Sequence, residues 1–189
     1  MNDLLLAAVR RRIRTKPTDL GNVSPIRLQP ADPERVANDE RQLGFSLPDL
    51  LKRLYTEIGN GGFGPGYGLI GLTGGAPDDT GKTSPTIYEE LRHTDPEDPY
   101  WQWPAGLLPI CHWGCAILSC VDCADPHFRM RIFDPNAHRE GDWSDAFSEE
   151  FCGLDEWIGM WASGVDLWKR MYSESGPAAR SPSVRDVDT

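Results

Sequence analysis

The chain has 189 residues, of which 39% are hydrophobic and 25% charged, and a formal net charge of −10. That length suits one domain with loose ends, and the acidic balance argues against binding a phosphate backbone, which needs clustered Lys and Arg. No stretch approaches the roughly 20 apolar residues of a membrane span.

At the N-terminus the apolar run Leu4 to Val9 precedes Arg10, Arg11, Arg12 and Arg14, with no small-residue cleavage site after it. A signal peptide has the reverse order, so a reducing cytoplasm is the expected setting. Residues 2–14 read as a short helix with Leu5, Leu6, Val9 and Ile13 on its apolar side. After a proline- and glycine-bearing loop, Asp32-Pro33-Glu34 predicts a helix start: a capping acid, proline at the first position and an acid in the first turn. This helix runs to about Leu43 and stops at Gly44. Another opens at Leu47-Pro48-Asp49 and places Leu50, Leu51, Leu54, Tyr55 and Ile58 on one face. Gly59-Asn60-Gly61-Gly62 ends it, since these residues tolerate positive φ.

Tyr67 to Thr73 reads as a strand, 74–83 as a polar loop, and Ser84-Pro85 as the start of a helix ending near His93. Segment 94–105 reads as an acidic, aromatic loop. Strands are expected at Leu107–Cys111, Cys115–Asp122 and Phe128–Phe133, the first an edge strand because of Pro109. Their closeness in sequence makes an antiparallel meander the short route. Residues 148–172 read as the closing helical region, with Phe151, Leu154, Trp157, Ile158 and Trp161 at helical spacing and an interruption at Gly164. The expected class is α+β: a single, mainly antiparallel sheet with helices over one face. Three parts are expected: an N-terminal helix and linker (1–30), the domain itself (31–172) and a disordered tail (173–189).

Three chemistries deserve weighing. Ala76 to Thr83 matches the loosest phosphate-loop pattern, but Pro77 has no N–H to offer, and Asp78 and Asp79 repel phosphate. A solvated acidic loop is the better reading. Cys111, Cys115, Cys120 and Cys123, with His112 and His127 nearby, raise zinc. On an unbroken strand, however, Cys115 and Cys120 point to opposite faces, so buried thiols in a sheet are expected instead. A cysteine nucleophile needs an adjacent base, and His93, His112, His127 and His138 are scattered. No catalytic residue, metal or cofactor is assigned. What remains is a contact surface. Aromatics give rigid buried area and acids meet a basic partner, which selects Asp78, Asp79, Asp95, Glu97, Asp98, Tyr100, Trp101 and Trp103. The competing reading folds Trp101 and Trp103 back over the core.

Leu43-Gly44-Phe45-Ser46-Leu47-Pro48, followed by the run from Gly59 to Leu69, resembles the signature of the SUKH superfamily, which holds fungal cell-wall-synthesis regulators and many bacterial proteins. Leu108 to Cys115, Ser119 to Cys123, Phe133-Asp134-Pro135 and the closing Trp157, Trp161 and Trp168 are similar to bacterial members, so the resemblance covers about 32–172. It implies an α+β fold with one sheet. For a bacterial member it also implies an immunity protein that binds and neutralises a cognate toxin, often a nuclease. A regulatory scaffold in cell-wall or stress signalling is the alternative from the eukaryotic members; a zinc or thiol enzyme is a third. The resemblance transfers no catalytic residues, and the glycines transfer as turn-formers.

Overall fold

The computed structural model describes residues 2–20, 28–93, 95 and 97–172. Residues 21–27, part of the loop read from the sequence, lie outside the described residues, as does the tail 173–189, expected to be disordered. Four helices come first. α1 (Asn2–Thr15) buries Leu6 and Val9. α2 (Pro33–Leu43) begins where the capping pattern predicts: the Asp32 carboxylate accepts from the Glu34 N–H at 2.9 Å, and Gly44 ends the helix at a φ of 79°. α3 (Asp49–Glu57) buries Leu50, Leu51, Leu54 and Tyr55, the predicted face. α4 runs Ser84–Arg92.

Strands β1 (Leu107–His112), β2 (Leu118–Asp122), β3 (Arg129–Phe133) and β4 (Phe147–Gly153) form one antiparallel sheet in sequence order. β1 is an edge strand, as Pro109 requires. α5 (Leu154–Ser163) and α6 (Leu167–Met171) close the chain, separated by Gly164 at a φ of 95°. The fold is α+β with a single antiparallel sheet.

The structure departs from the sequence reading in four places. The meander has a fourth strand, β4, where helix was expected. Helical spacing from Phe151 onward holds only after Leu154, and pairing with the open edge of β3 takes residues 147–153. A bulge there leaves Phe151 at a φ of 54° and 57% exposed, so it joins no helical face. β2 starts at Leu118, not Cys115, because Cys115 and Ala116 take positive φ in the hairpin turn. Tyr67–Thr73 forms no strand: it touches β1 through an isolated bridge, Leu69 with Cys111, and the bond from Ile70 N–H to the Ile110 carbonyl at 2.8 Å. Finally, helices lie on both faces of the sheet. Leu118 through Val121 are buried in unbroken succession, which alternation permits only if both faces are covered. α4 packs on β1, while α5 packs on β3 and β4 and also carries α1.

The segment 59–76 is irregular backbone, buried over most of 59–72, so its polar groups there need partners. Asn60, itself buried, supplies several. Its Oδ1 accepts from Leu72 N–H at 2.8 Å, its carbonyl accepts from Ala76 N–H at 2.8 Å, and its own N–H bonds the Gln29 carbonyl at 2.7 Å. The buried Tyr55 hydroxyl donates to the Ile70 carbonyl at 2.7 Å. Asp39, also buried, accepts from Thr73 N–H at 3.0 Å and from its hydroxyl at 2.7 Å. The glycines permit backbone-to-backbone contact: a Cβ on Gly61 would sit 2.6 Å from Leu69 O and Gly71 N, and its φ is 80°.

A second buried polar group lies against the sheet. The Ser119 hydroxyl accepts from the Trp113 indole at 3.0 Å and donates to Glu150 Oε1 at 2.7 Å. Burial pushes the Glu150 carboxyl up to about 7; the Ser119 and Trp157 donors and the Arg170 charge offset this only in part.

Two outcomes are expected. Asn60→Ala strands the buried Leu72 amide and lowers unfolding stability by on the order of 2–3 kcal/mol, read as a lower denaturant midpoint at unchanged slope. For Glu150 the fold disfavours the charged form. Its stabilising contribution is complete below the ordinary carboxyl value of 4.5 and is lost as pH rises through about 7. Glu150→Gln cannot ionise, so its stability relative to the native chain should rise by on the order of 2–3 kcal/mol between about pH 5 and pH 8. A constant difference across that range in denaturant melts would remove the claim.

Candidate partner-binding face

The sequence-selected acids fall on the two sides of α4. On one side, loop 78–82 leads into the helix. Its Asp78 carboxylate accepts from Thr80 N–H, the Thr80 hydroxyl and Lys82 N–H at 2.8–2.9 Å, so Asp78 organises the loop itself. The Asp78, Thr80, Gly81 and Lys82 amides, which a phosphate would compete for, are bonded within the loop. Asp79, next in line, points outward with a side chain 64% exposed, its Oδ1 3.7 Å from His112 Nδ1. Loop, helix and β1–β2 hairpin enclose a cleft of about 260 Å³.

On the other side, segment 95–103 turns through the Asp95 and Asp98 carboxylates, which accept from the Glu97 and Tyr100 amides at 2.9 and 3.0 Å. Asp98 also accepts from the Trp143 indole at 2.7 Å. A second cleft of about 510 Å³ lies here, lined by His93, Asp95, Asp98, Trp101 and Trp143. Glu90 and Leu91 of α4 border both clefts, which joins the two acidic segments into one face.

The aromatics divide. Tyr100 is 62% exposed. Trp101 is half-buried: its indole donates to the Leu91 carbonyl at 3.0 Å and its ring meets Trp143 edge-on at 4.8 Å. Trp103 is 2% exposed, bonded to the Leu107 carbonyl and packed edge-on against Phe133 and Phe147. For Trp103 the fold-back reading describes the structure, and it offers no surface.

Glu90, Trp143 and Tyr67 have no part in the contact surface read from the sequence, and His112 enters that reading only as a zinc ligand or a base. Trp143 is held by Asp98 and by His138, which stacks on it at 3.9 Å while bonding Asp145 at 2.7 Å. Tyr67 stacks on His112 at 4.9 Å. Trp143 sits alone among charged and polar residues, and Tyr67 between two glycines at the start of the expected strand, where no helical face claims them for a core. That isolation is the signal that could have found them. More exposed aromatic area, Trp168 and Tyr172, lies beside Trp113 at the hairpin.

The cysteines spread across the sheet. Cys111 and Cys120 are fully buried and Cys111 bonds the Pro65 carbonyl, while Cys115 is exposed in the turn. Because β2 begins only at Leu118, the strand-parity argument between Cys115 and Cys120 does not apply. Among the described residues no three His, Cys, Asp or Glu side chains converge as a metal-holding group, and no helix is long and apolar enough to cross a membrane.

The α+β fold with one sheet is the architecture that the motif resemblance implies. The SMI1 / KNR4 family (SUKH-1) matches the chain over residues 30–149, well over half its length. The chain belongs to this family and so to the SUKH superfamily. A comparison with curated proteins found no match.

Thiol reactivity tests the placement of the cysteines. Cys115 should react first with a disulfide reagent under native conditions. Cys123, whose thiol burial pushes up to about 12, should follow slowly, and Cys111, Cys120 and Cys152 only on unfolding. Mass-spectrometric mapping of the labelled sites reads the order; early labelling of Cys111 or Cys120 would contradict the packing.

Proposed function

We propose that the chain is an immunity protein that binds a cognate protein toxin in the cytoplasm and neutralises it by occlusion, residues 31–172 being the binding domain. Family membership supports a protein-binding role. The observation that carries the reading is the face around α4: two clefts share Glu90 and Leu91 and are edged by Asp79, Asp95, Asp98 and Trp101, with Tyr100 exposed nearby in the chain. Exposed acids around partly buried aromatics match an interface with a basic partner, where charge sets encounter and register and buried rings set the lifetime. The net charge of −10 adds to this attraction.

The test begins with co-purification of the tagged chain from its native host and identification of the captured toxin. Toxicity and affinity are then measured with and without the chain. The chain should abolish the toxin's activity. Asp79→Lys combined with Glu97→Lys should weaken binding at least about tenfold, mainly through slower association, and flatten the salt dependence. Asp78 and Asp98 are spared because their carboxylates hold local turns. Unchanged affinity in the double variant would remove this face from the interface. A toxin that stays fully active when bound would end the neutralisation reading.

A further inference from the structure

We propose that the cleft between loop 78–82, α4 and the β1–β2 hairpin is a socket for one arginine side chain of the protein partner. This rests on the protein-binding reading and names the chemistry of its anchor. The cleft, about 260 Å³, is of side-chain size. Its walls are apolar, from Ile87, Leu91, Leu118 and Phe133, and its polar groups include Asp79, Glu90 and His112. Arginine has the matching build, an apolar stem that lies along such walls and a charged planar head.

His112 makes the match specific. Its side chain is nine-tenths buried, yet Nδ1 makes no hydrogen bond, since Asp79 Oδ1 at 3.7 Å is too far. A buried polar atom without a partner is costly and calls for an explanation. Burial lowers the pKa of the ring, with Asp79 and Asp78 pulling the other way, so a neutral imidazole with an accepting nitrogen is favoured. A guanidinium offers several N–H groups in one plane. One can draw the exposed Asp79 carboxylate, 3.7 Å from Nδ1, outward and so let another reach Nδ1, an atom that solvent does not touch in the free chain and that accepts in the Nε2–H tautomer. Tyr67, stacked on the imidazole at 4.9 Å and 16°, holds the ring in place. The remaining charges near the cleft are committed: Lys82 is paired with Glu90, and Asp78 holds its loop. Asp79 is therefore the carboxylate left for the incoming cation.

The socket can be tested without the partner, by NMR titration of the isotope-labelled full chain with N-acetyl-arginine amide. N-acetyl-citrulline amide, its neutral isostere, and N-acetyl-lysine amide serve as comparisons at matched ionic strength. The arginine probe should give saturable shifts in the amides of residues 79–82 and 112–118, with a Kd on the order of millimolar. Both comparison probes should bind at least several-fold more weakly, and Asp79→Asn should weaken the arginine probe to a similar degree. Shifts that do not saturate, that scatter over all acidic surfaces, or that are equal for citrulline or lysine would overturn the socket. Such a failure leaves the protein-binding reading standing, because that reading fails only on the toxin measurements.

Discussion

The structure turns on how an irregular, glycine-rich segment is kept in the interior. Much of the segment 59–72 brings backbone amides and carbonyls into the interior, and regular secondary structure does not satisfy them. Asn60, Tyr55 and Asp39 do so instead, each buried and each bonded to main chain of residues 70–73. Without those bonds the segment would carry several unpaired polar groups, each costing on the order of 1–3 kcal/mol. The glycines complete the arrangement by steric means, since the strands of main chain at Gly61 and Gly71 approach too closely for any Cβ.

This segment also governs what lies beside it. It runs along the outer edge of β1 and takes the Ile110 carbonyl, which the bulge in β1 turns outward, so the edge is partly covered rather than left as a template for another strand. It then hands the chain to loop 78–82, and the Ser84 amide bonds back to the Gly71 carbonyl at 2.9 Å. The acidic loop and the start of α4 are thereby tied to the same buried network. An exposed face gains rigidity from interior hydrogen bonds, which lowers the ordering cost of binding a partner.

On the far side of α4 the aromatic segment does two jobs within a few residues. Trp103 closes the core over Phe133 and Phe147, Trp101 straddles the boundary, and Tyr100 remains outside. Trp143 reaches over from the β3–β4 connection to meet Trp101 and Asp98. The acid–aromatic surface is therefore built from two separate stretches of chain, each fixed by hydrogen bonds that leave Glu97 and Tyr100 exposed.

Local signals determined much of this. Asp32-Pro33, Gly44 and Gly164 each set a helix boundary by cap chemistry that acts within one turn, Ser84-Pro85 does so through proline in the first turn, and the apolar face of α3 follows from 3.6-residue periodicity. Pro109 marked an edge strand because a missing N–H is a local fact. Where tertiary structure decided, the competing choices were locally close. Residues 147–153 became a strand because β3 presented an open edge, and 67–73 missed being one because Asn60 and the glycines supplied other partners. The same holds for the site. The acids were legible as residue types, but which carboxylates are spent inside turns (Asp78, Asp98) and which remain available (Asp79) depends on hydrogen bonds. The meeting of Asp79 with His112 and Tyr67 arises from three parts of the chain whose separation in sequence carries no trace of their contact.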